Sequence, residues 1–566
     1  MMRDHLQACR QHFVYVGIFS LFINLLMLTV PLFMLQVFDR VLTSRSWETL
    51  VALGLLATGA LLVHLLLEVL RSRLLLASGV TLDSLAGPPV LVSLLENAVH
   101  PGNNGCASGL RDVAALRNFL SGGSIAALFD SPWVPAYVAV ICLLHPWLGL
   151  IAAVGAMALF GLAGLNAMLS RHPIAEMQRC AGLAGKYVAA SVRNAEIVHA
   201  LGMVDALRTR WQNLHASVIN EQIRAGNCAS IASSLSKFAR LFIQVVMLSV
   251  AAQLVIEQQM TAGVMIAATV LLARALAPVE AAIGSWKGLV EARDAYRRLD
   301  DMISSNRATK EPLTLPPPQG RLVLDRVVFA LPGSNRPLIK GVSLGLMPGE
   351  SLGIIGACGS GKSTLARLIT GTWQANAGTV RLDGVDVAQW PRDQLGPHLG
   401  YLPQDVELFA GTVAENIARL TDPDDDAVIT AAKRAHAHEM ILRLPQGYDT
   451  VLAGGGAGLS VGQRQRIALA RAIFGDPGLI VLDEPNANLD SEGEQALRLT
   501  IRGLRKAGAT VLVVSHRTSL LADVDKLLVL QDGEVGRYGP RDQVLERLRQ
   551  AQVHSVPPYV VHGGKR

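Results

Sequence analysis

Charge is scarce in this chain. Of 566 residues only 17% are Asp, Glu, Lys or Arg, against about 25% in a soluble domain. Apolar residues reach 51% and the mean hydropathy is +0.35. These values argue against a purely soluble enzyme of this size, and so much apolar side chain also excludes intrinsic disorder. Cysteine is sparse and scattered: Cys9, Cys106, Cys142, Cys180, Cys228 and Cys358 include no C-x-x-C pair, which argues against a zinc site and a disulfide framework. The net charge is only +6 with a pI near 9.0. So small a basic excess fits the positive-inside bias of a membrane protein better than a nucleic-acid footprint, and no nucleic-acid partner is expected. Nor is a cleaved leader expected. The polar stretch Met1 to His12 precedes an apolar run too long for a signal-peptide core and without a small-x-small cleavage site, so that run reads as an anchor.

What is abundant is long uncharged sequence, almost all in the first half. Phe13 to Phe38 and Thr49 to Leu67 contain no formal charge, and Ser131 to Ser170 contains none over 40 residues, broken by the turn His145-Pro146-Trp147. Leu241 to Ile256 and Gln258 to Ala273 form another uncharged pair around Glu257. Runs of this length span a bilayer. They predict six spans, near 14–38, 49–70, 125–144, 147–169, 238–256 and 260–282. Arg71, Arg73, Arg111, Arg117, Arg171, Arg179, Lys186 and Arg193 follow even-numbered spans, and Lys287, Arg293, Arg297 and Arg298 follow the sixth. The positive-inside rule then puts both termini in the cytoplasm. Segments 71–124 and 170–237 read as helical extensions of the spans, each turning around at a short helix.

A break in composition follows. Thr309 to Gly320 carries Pro312 and Pro316-Pro317-Pro318, and consecutive prolines cannot continue a helix. Beyond it, apolar strands (Arg321 to Phe329, Ser351 to Ile355, Leu479 to Leu482, Thr510 to Val514) alternate with helical segments, the pattern of an α/β domain with a largely parallel sheet. The expected organisation is a membrane domain over 1–308, a linker over 309–320 and an α/β domain over 321–566.

Three motifs carry chemistry. Gly356-Ala357-Cys358-Gly359-Ser360-Gly361-Lys362-Ser363-Thr364 fits G-x-x-x-x-G-K-[ST] between a strand and the helix expected from Thr364 to Thr370. Its glycines let backbone N–H groups curl around phosphates; Lys362 would reach the β- and γ-phosphates and the Ser363 hydroxyl would ligate Mg²⁺. Leu479 to Leu482 runs into Asp483 and Glu484: Asp483 is placed to hold Mg²⁺ through water, and Glu484 to polarise an attacking water as general base. The third motif is Leu459-Ser460-Val461-Gly462-Gln463, followed by Arg464-Gln465-Arg466.

With that third segment the chain resembles the ATP-binding-cassette transporters, whose signature reads L-S-G-G-Q. The resemblance implies an ATPase whose nucleotide domains meet head to tail, so that Ser460 and Gly462, with Gln463, touch the γ-phosphate held by the partner's phosphate loop. It further implies that Gln404, in Tyr401-Leu402-Pro403-Gln404, senses Mg²⁺, that His516 is the switch histidine, and that Asp490 in Asn488-Leu489-Asp490 belongs to the D-loop. Thr412-Val413-Ala414-Glu415-Asn416-Ile417 is similar to the segment by which exporters contact intracellular loops. Phe129-Asp130-Ser131-Pro132-Trp133-Val134-Pro135 and His145-Pro146-Trp147-Leu148-Gly149 resemble the membrane domain of type I protein-secretion ATPases, nearest to the protease- and lipase-exporting branch. That implies an inner-membrane exporter of unfolded protein, working as a homodimer with a periplasmic membrane fusion (adaptor) protein and an outer-membrane channel. About a dozen residues precede the first span, so no amino-terminal peptidase domain is expected, and the cargo would carry an uncleaved carboxy-terminal signal. An exporter of lipids or small molecules shares the six-span plan and stays open as an alternative; a DNA-remodelling ATPase or a kinase is remote beside six spans in the same chain.

Three residues depart from the family pattern. Val461 stands where the family has glycine, and a β-branched side chain at positive φ or close approach would weaken the composite site. Leu331 replaces the tyrosine that usually stacks on adenine, leaving Leu331 or Phe329 to give apolar contact. Cys358, inside the phosphate loop, is either a thiol-sensitive position or a buried inert one. In the membrane half, Asp130 is expected to cap a helix begun by Pro132, with Trp133 in the interfacial belt. Glu68 with His64 (i, i+4) and Arg274 with Glu280 are the ionisable groups within or near the bilayer, and Arg274 either lines the path, snorkels to the interface or pairs with Glu280.

Overall fold

Within a bilayer each backbone N–H and C=O must be satisfied inside its own segment, so long uncharged runs are compelled to be helical. The computed structural model describes residues 7–100, 108–305 and 315–554, apart from 335, 423 and 488. Residues 309–314 of the expected linker, Cys106 and Asn488 lie outside the described residues. The chain divides into two compact units, Met1–Leu95 with Cys106–Ala308, and Glu96–Gly105 with Thr309–Arg566.

In the first unit, six helical segments among the described residues are long and apolar enough to cross a membrane: Arg10–Ser44, Trp47–Val99, Gly123–Leu144, Pro146–Arg193, Val204–Ile256 and Ala262–Gly284. Span 1 contains α1 (Arg10–Leu26), α2 (Thr29–Gln36) and a π-helical turn at Val37–Val41. Span 2 is α3 (Trp47–Val99), and α4 (Ser108–Ser121) precedes span 3. Span 3 is α5 (Gly123–Asp130), a 3₁₀ turn at Ser131–Trp133, and α6 (Val134–Leu144). Span 4 is α7 (Pro146–Arg193). A short α8 (Ala195–Ala200) leads to α9 (Val204–Ile256), then α10 (Ala262–Gly284) and α11 (Trp286–Ser305). Helices α3, α7 and α9 have 53, 48 and 53 residues. At 1.5 Å per residue each is about 70–80 Å long, more than twice a hydrocarbon core of about 30 Å.

Two apolar clusters hold this unit together. One joins α1, α3, α4, α5 and α11 through Val16, Leu75, Leu82, Leu116, Ile125 and Leu299. The other joins α6, α7, α9 and α10 through Ile141, Leu148, Leu159, Met247, Leu272 and Leu276.

The ionisable groups pair differently from the sequence expectation. Asp130 caps nothing; its carboxylate accepts from Arg71 Nη1 at 2.9 and 3.1 Å and from Asn24 Nδ2 at 2.9 Å. Glu68 is bonded to Arg71 at 2.8 and 2.9 Å rather than to His64. Both neighbours lie on its helix face, and the permanently charged, forked guanidinium wins. Glu280 forms an ion pair with Arg240 of α9 at 3.0 Å, not with Arg274. Six residues apart on a helix of 3.6 per turn, Arg274 and Glu280 point about 120° away from each other.

The second unit is built on β1 (Leu322–Ala330), β2 (Pro337–Leu346), β3 (Ser351–Gly356), β4 (Ala377–Leu382), β5 (Val385–Asp386), β6 (Leu399–Leu402), β7 (Gly411–Thr412), β8 (Val451–Leu452), β9 (Leu479–Asp483), β10 (Thr510–Val514), β11 (Lys526–Gln531) and β12 (Glu534–Pro540). A six-stranded sheet runs β12-β11-β3-β10-β9-β6, parallel except for β12. A second sheet, β2-β1-β4-β5, is wholly antiparallel; the sequence reading did not anticipate it. A core of Leu324, Phe329, Ile339, Ile354, Leu365, Leu382 and Val514 lies between the two sheets around α12 (Lys362–Ile369). A second core joins α13 (Val461–Ile473) and α14 (Ser491–Lys506) to the other face through Ile467, Ile473, Ile480, Leu497 and Val511. Strand β3 is central, flanked by β10 and β11, so the loop after it opens at the carboxyl edge of the sheet, where α/β folds bind ligands.

Candidate functional site

The turn from β3 into α12 needs glycine. Gly359 and Gly361 have φ of 80° and 98°, a region that side chains avoid, and a Cβ on Gly361 would come within 2.8 Å of Ile339 Cδ1. Lys362 opens α12, is 6% exposed, and donates its Nζ to the carbonyls of Gly356 and Ala357 at 3.1 and 2.9 Å. The loop is thus folded around its own lysine. Ser360 is buried, its amide bonded to Ala357 O at 3.2 Å. Ser363 and Thr364 fill the first turn of α12. Cys358 is exposed, so the buried alternative for its thiol falls.

Ser363 Oγ donates to Asp483 Oδ1 at 3.2 Å. Asp483 ends β9 and is 1% exposed. Burial pushes its carboxyl above the usual range; the Ser363 bond pulls the other way, and neighbouring Glu484 adds to the rise. A buried, half-satisfied carboxylate beside a hydroxyl is suited to a divalent cation.

Glu484 sits at φ 49°, an uncommon conformation for glutamate, with its amide bonded to Val514 O at 2.9 Å. The bend lifts its carboxylate out of the sheet. Gln404, exposed just beyond β6, donates Nε2 to Oε2 at 3.2 Å, and His516 Nε2 lies 3.3 Å from Oε1. Three residues from the ends of three strands therefore meet, next to the Ser363–Asp483 pair.

Ser460, Gly462 and Gln463 do not join them. Ser460 caps α13, its Oγ accepting from the Gln463 amide at 3.2 Å, while Gln463 Oε1 accepts from the Ser460 amide at 2.8 Å. This reciprocal pair is a capping box. Among the described residues no hydrogen bond or ion pair links this turn to the phosphate loop of its own chain. It faces instead an open cavity of about 1000 Å³ lined also by Lys433, Arg466 and Asp490. Asp490 caps α14 through Gly493 N at 2.8 Å. Val461 is the first residue of α13 and has no positive φ; the expected backbone penalty is therefore absent. Phe329 is 3% exposed and stacked on Trp373 with centroids 5.1 Å apart, so it cannot meet a base, and Leu331, 39% exposed, is the free side chain there.

Two supporting contacts escaped the sequence reading. Ser515 Oγ donates to Asn486 Oδ1 at 3.1 Å, tying the loop after Glu484 to the loop carrying His516. Gln465, 3% exposed, donates Nε2 to Pro485 O at 2.6 Å, tying α13 to the same loop. Its signal was present: Gln465 shares the helix face of Ala468, Leu469 and Ala472, and a polar residue in an apolar stripe needs a partner.

Residues 339–487 match the ABC transporter family model and residues 107–279 match the ABC transporter transmembrane region. The chain is 43% identical to the type I secretion system ATP-binding protein PrsD of Rhizobium meliloti, over 97% of this chain and 94% of that one. It is 31% identical to the cyclolysin secretion/processing ATP-binding protein CyaB of Bordetella pertussis, over 94% and 75%. A solved bacterial Atm1-family ABC exporter with ATP bound shares the fold, with a TM-score of 0.82 at 22% identity over 97% of this chain and 99% of that one.

Proposed function

Because the chain belongs to the ABC transporters, among the ATP-binding proteins of type I secretion, we propose that it exports an unfolded, protease- or lipase-like protein bearing an uncleaved carboxy-terminal signal. It is an ATP-driven protein exporter of the inner membrane, multi-pass, with its ATPase domain in the cytoplasm. Residues 1–308 serve as the membrane domain and 321–566 as the nucleotide domain, joined by 309–320. It works as a homodimer, with a periplasmic adaptor and an outer-membrane channel as partners.

The reading of the site rests on the convergence of Gln404 and His516 on Glu484 beside Ser363 and Asp483. Lys362 and the phosphate-loop amides bind the triphosphate. Ser363, Asp483 and Gln404 would hold Mg²⁺, which supplies positive charge to the phosphates. Glu484 takes the proton of the attacking water, with Gln404 and His516 fixing the orientation of its two oxygens. Ser460, Gly462 and Gln463 of a second copy close on the γ-phosphate.

Glu484→Gln keeps the side chain's size and removes its basicity. Hydrolysis in the purified, reconstituted protein should fall about 10³-fold, while nucleotide affinity stays within about threefold of wild type. Phosphate release and equilibrium nucleotide binding measure the two, and substantial steady-state hydrolysis by the variant overturns the assigned base.

A further inference from the structure

A layer of polar side chains, buried at Arg71, Ser20, Asn24 and Tyr137 and partly exposed at the acids Glu68 and Asp130, crosses the membrane unit where ATP chemistry has no use for it. Arg71 of α3 is 5% exposed. One end of its guanidinium reaches Asp130 and Ser20 Oγ (3.1 Å), and the other grips Glu68. Asn24 of α1 donates to Asp130 at 2.9 Å, and Tyr137 of α6 donates its hydroxyl to Asn24 O at 2.9 Å. Ser20, Asn24 and Tyr137 are all less than 9% exposed. Burying such a network is rarely the most stable solution, since apolar side chains of similar size pack as well or better.

The layer coincides with two tightened turns. Span 1 loses its regular α-helical bonding after Leu26, two residues beyond Asn24, and span 3 passes into a 3₁₀ turn immediately after Asp130, the backbone staying right-handed helical at both. At the first turn Leu28 N bonds to Leu25 O at 3.1 Å. The Asn24 carbonyl, the regular α-helical acceptor for that amide, takes the Tyr137 hydroxyl instead. The layer also lies between the two apolar clusters: Val16 and Leu75 belong to one, Tyr137 to the other. Interdigitated apolar cores hold their shape, whereas carboxylate, amide and hydroxyl groups exchange partners without voids. Arg71 keeps Glu68 on its own helix, so its charge stays compensated if the contact with Asp130 loosens.

We propose that this layer is the fulcrum of the export cycle. The outer segments α2 and α6 tilt about it, while α1, α3 and α5 move as one body. Arg71 and Asp130 are positioning residues that set both turns at one level. The inference rests on the exporter activity and not on the identity of the cargo.

Hydrogen exchange read by mass spectrometry on the full chain in lipid nanodiscs tests it, comparing nucleotide-free protein with protein trapped by MgATP and vanadate. Amides in 27–32 and 131–137 should exchange at least about tenfold faster in one state than in the other, while 13–23 and 71–82 stay level. Equal exchange at both turns in the two states overturns the fulcrum. In Asp130→Asn the same amides should exchange at the faster rate in both states, with ATP hydrolysis within about twofold of wild type. A variant that melts at a lower temperature yet keeps the wild-type nucleotide-dependent difference shows a clamp of structural use only, and overturns the positioning role. If that variant does not accumulate, the wild-type comparison alone decides.

Discussion

The nucleotide domain contains two glycine-bearing turns of opposite character. The phosphate loop, Gly356 to Lys362, is held by left-handed glycines and by a lysine buried against its own carbonyls. The signature turn, Leu459 to Gln463, is the helical start of α13, closed by a capping box and facing open space. The first turn finds Ser363, Asp483, Glu484, Gln404 and His516 around it; the second finds none of them. A loop that gathers its machinery from its own chain can bind nucleotide alone. Under the homodimer proposed above, the second turn meets these groups on the other copy.

The sharpest way to break this contrast is Lys362→Ala. Removing the buried cation should lower nucleotide affinity by about 100-fold, near 2.7 kcal/mol, and abolish export with it. Wild-type affinity in equilibrium binding would remove the phosphate loop from the site. A smaller effect separates binding from turnover. Ser460→Asp retains a good cap for α13 but puts negative charge where a phosphate is expected. Hydrolysis should drop by about tenfold or more at unchanged nucleotide affinity and melting temperature; unchanged turnover would leave the turn with a capping role only. The mildest substitution is Val461→Gly. Since Val461 is helical, glycine should cost stability, up to about 1 kcal/mol, and change hydrolysis less than threefold. A large rise in rate would mean that the valine side chain itself stands in the way.

How far the sequence was legible varied with the distance over which each feature is encoded. The phosphate loop is local: strand, glycines, lysine and helix follow one another within a few residues, and the structure has them so. The six spans are equally local, because an uncharged run allows only one conformation in a bilayer. Gln404 and His516 lie 80 and 32 residues from Glu484, and only the family resemblance could bring them to it; Asn486, Ser515 and Gln465 stand within or beside the motifs, yet nothing local assigns their contacts. Asp130 was misread because its immediate neighbours look like a helix start, while its real partners are Arg71 and Asn24, 59 and 106 residues away. The antiparallel sheet was hidden not by β1, which is legible as Arg321 to Phe329, but by its partners: β2 holds Pro337, Gly341 and Gly345, β4 begins with Ala377 and Gly378, and β5 is two residues long. Glycine and proline mark a loop more readily than a strand.

The cap on α13 has a consequence for whatever anion arrives there. A hydroxyl oxygen that already accepts a hydrogen bond from the Gln463 amide is polarised, and donates its own hydrogen more strongly. Ser460 can therefore serve its helix and an incoming oxyanion at once, from opposite sides of a single atom. The first turn of that helix, and through Gln465 the loop that bears Glu484, would then feel the contact directly.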